Sequence, residues 1–237
     1  MAYQKLDWDT DFFGVSVARI NEPGLVDQEL SKVLIKLRDK DVDLVYWSSN
    51  RKVGSKLLGR FGGLLSAEKV TFIIDLACVD QGKFTSSCIV EPFSQSMRNI
   101  DFQALAIQSG EFSRFSVDKN IPQEKFDQLY QKWIIRSLRK EIADEVLAIR
   151  EGECVVGMVT LGTKGDRGDI GLLAVDSQYR GKQLGVNLVN AALKWFIAHG
   201  YNVGQVVTQG ANIPACNLYK KTGYSVESVE YFYHFWL

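Results

Sequence analysis

The sequence predicts a mixed α/β fold: a mostly antiparallel sheet with flanking helices, preceded by a small α/β unit. Three observations predict it. Strand-like and helix-like patterns alternate along the first part of the chain, three strand-like runs follow one another within 145–176, and a Gly-rich turn, "YRGKQLG" at 179–185, leads into a long amphipathic segment. A turn between the end of a strand and the start of a helix is typical of the ligand-binding edge of α/β folds.

The first part of the chain predicts a small α/β domain over 1–95. Its strands are predicted at 15–20, 42–49 and 69–77, and its helices at 25–40 and 52–62. The polar stretch at 79–87 is typical of a boundary between domains.

The main domain is predicted over 96–237. Its helices are predicted at 101–110, at 121–142, from the Gly-rich turn to about His199, and at 213–223. Its strands are predicted at 145–151, 154–163, 168–176 and 203–209, with one or two more over 224–236. The two longest helices each carry apolar residues on one face, namely Phe126, Leu129, Tyr130, Trp133 and Leu138 in the first and Leu184, Leu188, Val189, Leu193 and Phe196 in the second.

Composition argues against several classes of function. The 28 basic and 28 acidic residues cancel, so the chain lacks the electrostatic signature of a nucleic-acid-binding protein. The longest apolar run, at 70–79, is too short to span a membrane, and the first residues lack the hydrophobic region of a signal peptide. The four cysteines are scattered and only two histidines occur, which predicts neither a metal site nor a disulfide framework. We expect a cytoplasmic protein without membrane insertion.

The Gly-rich turn predicts a phosphate site. Backbone N–H groups at the start of a helix have no partner within the helix, and the helix dipole adds positive potential there. A turn with two glycines lets a phosphate approach these groups closely.

Two motifs resemble those of the GNAT superfamily of N-acetyltransferases. The turn is similar to the acyl-CoA signature (R/Q)-x-x-G-x-(G/A): Arg180 and Gly185 match, Gly181 is a common additional glycine, and Gln183 stands where the family has glycine. The segment 212–224 is similar to N-x-x-A-x-x-L-Y-x-x-x-G-(F/Y), and the matching residues are Asn212, Ala215, Leu218, Tyr219, Gly223 and Tyr224. On its own each motif has a plainer interpretation, a turn glycine or a packed tyrosine, but their order and separation favour the family.

The resemblance implies a sheet with splayed central strands, an acyl-CoA co-substrate and no metal. It implies that the pantetheine arm lies against Leu173, Ala174 and Val175, with help from Asn212 and Asn217. The pyrophosphate would lie on the turn, formed by Arg180, Gly181, Lys182, Gln183, Leu184, Gly185 and Val186. Tyr219 would also contact the cofactor, and as the catalytic general acid it would protonate the departing thiolate.

Two further segments, 6–20 and 105–147, resemble the TDP-fucosamine acetyltransferase group. The resemblance implies a dTDP-linked amino-dideoxy sugar as acceptor, destined for a bacterial cell-surface polysaccharide such as the O-antigen of lipopolysaccharide. Arg114 and Phe115, with Trp8 and Phe13, have the side-chain types for a phosphate clamp and a stacking wall. The alternative for Arg114 is a salt bridge, and for the aromatic residues of 6–20 it is core packing.

Other functions stay open at this stage. The chain could acylate a protein or another small-molecule amine, or it could be a non-catalytic acyl-CoA-binding module. The acyl group could be acetyl or a larger hydroxyacyl, the sugar amine could be at C3 or C4, and the sequence names no general base. A homodimer is compatible with the sequence.

Overall fold

A ten-stranded mixed sheet organises the described part of the chain, which is residues 3–80, 82 and 88–237 of this computed structural model. The strands are β1 (Tyr3–Lys5), β2 (Val17–Ile20), β3 (Leu44–Ser49), β4 (Gly63–Asp75), β5 (Glu91–Pro92), β6 (Glu145–Glu151), β7 (Cys154–Lys164), β8 (Arg167–Val175), β9 (Val203–Gln209) and β10 (Ser225–Trp236). Their order across the sheet is β1-β2-β3-β10-β4-β9-β8-β7-β6-β5. The predicted mixed, mostly antiparallel sheet is confirmed, since the parallel pairs are β2 with β3 and β8 with β9.

Helices cover this sheet. They are α1 (Asp7–Phe13), α2 (Asp27–Arg38), α3 (Ser55–Arg60), α4 (Asn99–Ser109), α5 (Arg114–Val117), α6 (Gln123–Leu138), α7 (Leu184–Ala198) and α8 (Ile213–Lys221). None of those in the described part of the chain is long and apolar enough to cross a membrane. The sequence did not predict β1, β5, α1 or α5, and the strand predicted at 69–77 runs instead from Gly63 to Asp75.

Strand β4, from the first part of the chain, is inserted between two strands of the second part. β4 lies between β9 and β10 and is antiparallel to both, with Val70 opposite Thr208 on one side and Val229 on the other. The sheet therefore runs across the domain boundary predicted near residue 95, and that boundary stays a prediction.

The sheet splays between β8 and β9. These strands pair only from Gly168 opposite Gly204 to Ile170 opposite Val206, after which they separate. On its other edge β8 carries a bulge, where Gly171 and Leu172 together face Thr160 of β7. The Thr160 hydroxyl fills the gap in the ladder by accepting a hydrogen bond from the Leu172 N–H at 2.8 Å. The predicted splay and bulge are thus confirmed.

Helix α7 packs on the face of the sheet near this splay. Leu188, Val189, Leu193 and Phe196 are buried as predicted, while Leu184 is half-buried at the helix start. Full burial of each such side chain stabilises the folded state by roughly 1.5–3 kcal/mol. Gly168 of β8 lies directly against the Phe196 ring, so a larger residue there would push α7 away from the sheet.

Candidate active site

The Gly-rich turn presents backbone N–H groups at the start of α7. Gly181 and Gln183 both have left-handed backbone conformations, with φ of 82° and 61°. Gln183 is the N-cap, but its side chain does not cap the helix. The N–H of Asn187 donates to the Gln183 carbonyl at 3.1 Å, so the N–H groups of the preceding turn point out of the helix end. This geometry is that of an anion cradle.

A cavity of about 420 Å³, here called the turn cavity, adjoins these N–H groups. Ten residues predicted to bind acyl-CoA line it: Leu173, Ala174, Val175, Arg180, Gly181, Gln183, Leu184, Gly185, Val186 and Asn212. Arg180 also donates from Nε to the Val175 carbonyl at 3.2 Å, which ties the turn to the end of β8. Three predicted residues lie elsewhere. The Lys182 ammonium is over the Tyr179 ring, 4.9 Å from its centroid, Asn217 is exposed on α8, and Tyr219 lines a second cavity described below.

The left-handed conformation of Gln183 gives a test of the turn. We expect Gln183→Gly to leave acyl-CoA affinity unchanged and to alter the free energy of unfolding by less than about 1 kcal/mol. The reason is that relief of the left-handed strain offsets the extra backbone freedom of glycine in the unfolded chain. Thermal unfolding and the KM for acyl-CoA check this. A large rise in that KM would show that the Gln183 side chain itself holds the cofactor.

A second cavity, of about 290 Å³, lies in the gap between β8 and β9 and is called the splay cavity. Ser109, Leu173, Asn212 and Ala215 line both cavities, so the two spaces meet at these residues. A ligand with its phosphates at the turn can therefore extend along β8 into the splay.

The backbone of β8 offers donors to such a ligand. Leu172 and Asp176 direct their N–H groups toward β7, donating to Thr160 Oγ1 at 2.8 Å and to the Val156 carbonyl at 2.9 Å. Because N–H directions alternate along a strand, those of Leu173 and Val175 point to the opposite edge, from which β9 has separated. Leu173 lines both cavities, so its N–H is available to a ligand where they meet.

Tyr219 lies on α8 and lines the splay cavity. Its ring is 4% exposed and packs against Phe72 and Tyr224, with centroids 5.7 and 5.9 Å away. Burial, with a smaller contribution from Cys216, raises the pKa of the phenol, so Tyr219 stays protonated as a proton donor must. Asn212 caps the same helix, accepting from the Ala215 N–H at 3.2 Å, and this leaves its amide N–H groups free to donate.

Arg114 and Phe115 line the other end of the splay cavity. The Arg114 guanidinium lies over the rings of Tyr46 and Phe115, 4.1 and 4.4 Å from their centroids. Burial lowers the pKa of Arg114, against the opposing effects of Tyr46 and Asp9. Among the described residues no carboxylate lies within 4.0 Å of the guanidinium, so the salt-bridge alternative finds no partner there.

Trp8 and Phe13 lie on α1, behind this end of the cavity. Trp8 is 49% exposed and stacks on Phe12, while Phe13 stacks on Phe115 with centroids 5.8 Å apart. Neither residue lines the turn cavity or the splay cavity. Phe12 is buried, in agreement with core packing of this segment.

Sequence reasoning missed a buried polar pair next to Arg114. His234 of β10 and Asp118, which follows α5, are 0% and 1% exposed, and His234 Nδ1 lies 2.6 Å from Asp118 Oδ2. His234 Nε2 faces Arg114 Nη1 at 3.4 Å. The one sequence signal was a histidine within the aromatic run "YFYHFW", and Asp118 carried none. Over the part of the chain that the structure describes, no three His, Cys, Asp or Glu side chains gather as metal ligands.

Comparison with known proteins identifies the family. The model of the acetyltransferase (GNAT) family matches residues 106–224. The spore coat polysaccharide biosynthesis protein SpsD of Bacillus subtilis is 26% identical over 132 residues, 56% of this chain and 45% of that protein. Streptothricin acetyltransferase of Escherichia coli is 33% identical over 79 residues, 33% of this chain and 45% of that protein. The chain thus spans less than half the length of each of these relatives.

Solved structures share the fold at low sequence identity. A conserved protein of unknown function from Staphylococcus epidermidis has a TM-score of 0.69 at 11% identity, covering 94% of this chain and 86% of that one. A GCN5-related N-acetyltransferase from Sphaerobacter thermophilus has a TM-score of 0.64 at 12% identity, covering 98% of this chain and 75% of that one. With the family model matched across the turn, the splay and Tyr219, this chain belongs to the GNAT acetyltransferase family.

Proposed function

We propose that this acyltransferase acylates the amino group of a dTDP-linked amino-dideoxy sugar for cell-surface polysaccharide biosynthesis. The observation that carries the proposal is the charge of the splay cavity. Two cations, Lys69 and Arg114, line it together with the aromatic side chains of Phe115, Trp133 and Phe232, and no carboxylate is present among its described lining residues. Cations beside aromatic rings suit an acceptor that carries a diphosphate and a flat base.

The same charges disfavour a cationic acceptor. Lys69 is partly neutralised by Glu230, 2.6 Å away, whereas Arg114 has no ion-pair partner within 4.0 Å among the described residues and feels Asp9 only at longer range. A lysine-rich protein tail would bring ammonium groups toward this charge at a cost in free energy. For an amino sugar the nearby cation lowers the pKa of the ammonium group, which increases the fraction of the free amine that can attack.

The proposed transfer uses two groups of the splay cavity, the Leu173 N–H and the Tyr219 phenol. The amine attacks the thioester carbon, and the Leu173 N–H stabilises the developing oxyanion. The tetrahedral intermediate collapses, the carbon–sulfur bond breaks, and Tyr219 gives its proton to the thiolate. Water in the open cavity takes the proton that the amine loses and restores the phenol. Both Leu173 and Tyr219 line the cavity where this would occur.

The relatives support a sugar-related acceptor. SpsD is named for the biosynthesis of spore coat polysaccharide. A second candidate acceptor is another small-molecule amine, which is favoured by the match to streptothricin acetyltransferase.

A thiol-release assay with acetyl-CoA separates these functions. We expect the highest kcat/KM with a dTDP-linked amino sugar, less with the free amino sugar and with streptothricin, and none with a lysine-rich peptide. Equal kcat/KM for the free amino sugar and its dTDP form would overturn the substrate class. Binding of CoA without thiol release from any acceptor would indicate a non-catalytic module.

Arg114→Ala tests the acceptor end of the cavity. We expect it to weaken binding of the dTDP-amino sugar by roughly 1.5–3 kcal/mol, the contribution of a charge-assisted hydrogen bond, and to leave the KM for acyl-CoA unchanged. The measurement is the KM for each substrate. Arg139→Ala, at an exposed arginine that ends α6, is the matched control and should change neither value. An unchanged acceptor KM in Arg114→Ala would contradict the role.

A further inference from the structure

We propose that Asp118 and His234 form a positioning pair that holds the Arg114 guanidinium toward the anionic group of the acceptor. The inference rests on the proposed function, because it gives that function a determinant of acceptor specificity. Neither residue lines the splay cavity, so the pair acts through Arg114 alone.

The Asp118 carboxylate accepts three hydrogen bonds from neighbouring groups. Its Oδ2 accepts from His234 at 2.6 Å and from the Trp236 indole N–H at 2.9 Å, and its Oδ1 accepts from the Asn120 N–H at 3.0 Å. Burial by itself would raise the pKa of this carboxyl, but these hydrogen bonds outweigh it and hold the pKa below its usual range. Asp118 is therefore ionised, and the proton between the two side chains is on His234 Nδ1.

His234 is then a neutral acceptor for Arg114. Burial lowers its pKa, Arg114 lowers it further, and Asp118 opposes both. Besides those two groups, the Tyr46 ring of β3 packs against the imidazole, with centroids 4.8 Å apart. With its proton on Nδ1, the neutral ring presents the lone pair of Nε2, and the group that faces this lone pair is Arg114 Nη1, at 3.4 Å.

The interposed histidine orients the guanidinium without neutralising it. A carboxylate in direct contact would form a bidentate ion pair, occupy two N–H groups and cancel the charge. Here the guanidinium is confined by the rings of Tyr46 and Phe115 and is held at one corner by an uncharged imidazole. Its remaining N–H groups and its charge stay available to the cavity that Arg114 lines.

The experiment compares two near-isosteric variants, using the complete chain with acetyl-CoA and a dTDP-amino sugar. In His234→Asn the amide can still donate to Asp118, but the acceptor for Arg114 is lost. In Asp118→Asn one donor loses its acceptor in either orientation of the new amide: an NH2 at the Oδ2 position opposes the Trp236 indole N–H, and an NH2 at the Oδ1 position opposes the Asn120 N–H. The imidazole then loses the fixed charged acceptor that orients it toward Arg114. We expect each variant to raise the acceptor KM roughly three- to tenfold, as the loss of one hydrogen bond would, and to leave the acyl-CoA KM unchanged.

A double-mutant cycle separates positioning from a merely structural role. In an Arg114→Ala background we expect His234→Asn to change the acceptor KM less than twofold, because its target is gone. His199→Asn, at an exposed histidine that follows α7, is the matched control and should change neither the acceptor KM nor the acyl-CoA KM. Thermal unfolding is measured for each variant, and Asp118→Asn serves as the second test where His234→Asn is poorly folded.

Three outcomes would overturn the inference. They are an unchanged acceptor KM in folded His234→Asn, effects of His234→Asn and Arg114→Ala that multiply in the double variant, and an equal rise in both KM values. A parent enzyme that does not acylate the dTDP-amino sugar overturns the proposed function and this inference with it. An active parent with an unaffected His234→Asn variant overturns the inference alone.

Discussion

Tyr219→Phe is expected to lower kcat by a factor of ~10²–10⁴, the usual contribution of a positioned general acid. The fold and the affinity for acyl-CoA should be retained. The substitution keeps the ring that packs against Phe72 and Tyr224 and removes only the proton donor. Since a thiolate is already a tolerable leaving group and water can replace the phenol, the loss can fall at the lower end of this range. The measurement is kcat at saturating concentrations of both substrates, together with thermal unfolding.

Tyr224→Phe is the matched control for this prediction. The Tyr224 hydroxyl belongs to the same cluster of rings, and it is buried with no hydrogen-bond partner in the described part of the chain. Its removal should therefore leave kcat unchanged and cost no stability. A kcat of Tyr219→Phe within about threefold of the parent value would mean that the activation free energy changes by less than about one kcal/mol. In that case Tyr219 is not the general acid.

Gly185→Asp is expected to raise the KM for acyl-CoA by at least about tenfold and to leave the acceptor KM nearly unchanged. Gly185 lies in the first turn of α7, where the N–H groups are unpaired. A carboxylate there occupies these donors and repels the pyrophosphate. Calorimetry with CoA measures the loss directly.

Gly185→Ala separates the charge from the steric effect. A Cβ atom at this position would lie 3.2 Å from Leu218 Cδ2 on α8, a tight contact that a leucine side chain can relieve by a small shift. We therefore expect a small change in CoA affinity for Gly185→Ala and a large one for Gly185→Asp. Normal CoA binding by Gly185→Asp would show that the turn is not the phosphate site.

Local patterns were enough to predict most elements of the second part of the chain. The strands over 145–175 and helix α7 match their predicted bounds within a few residues, because their apolar periodicity is strong and glycines mark their turns. Helix α1 was missed because it is short and because its N-cap residue, Leu6, has no side chain that can cap it. The turn and Tyr219 were found from motifs, whose spacing is a local property of the sequence.

Features that depend on distant residues could not be predicted. Lys69 lines the splay cavity only because β4 inserts beside β9, and no local pattern specifies which strands pair. Asp118 and His234 are separated by 116 positions, and each alone has the appearance of an ordinary polar residue. The electrostatic character of the end of the splay cavity that Arg114 lines therefore emerges only from the fold.

The insertion of β4 also constrains how the chain can fold. During synthesis β4 leaves the ribosome well before β9 and β10, its two hydrogen-bonding neighbours, which come much later in the sequence. Until then both of its edges are open, a state that exposes it to pairing with other chains. In the described sheet β10 is also the strand through which β1, β2 and β3 join the rest, and it carries His234. Strand β10 therefore connects the two parts of the described sheet and brings the His234 imidazole to Arg114, so this end of the splay cavity is assembled only after β10 has been made.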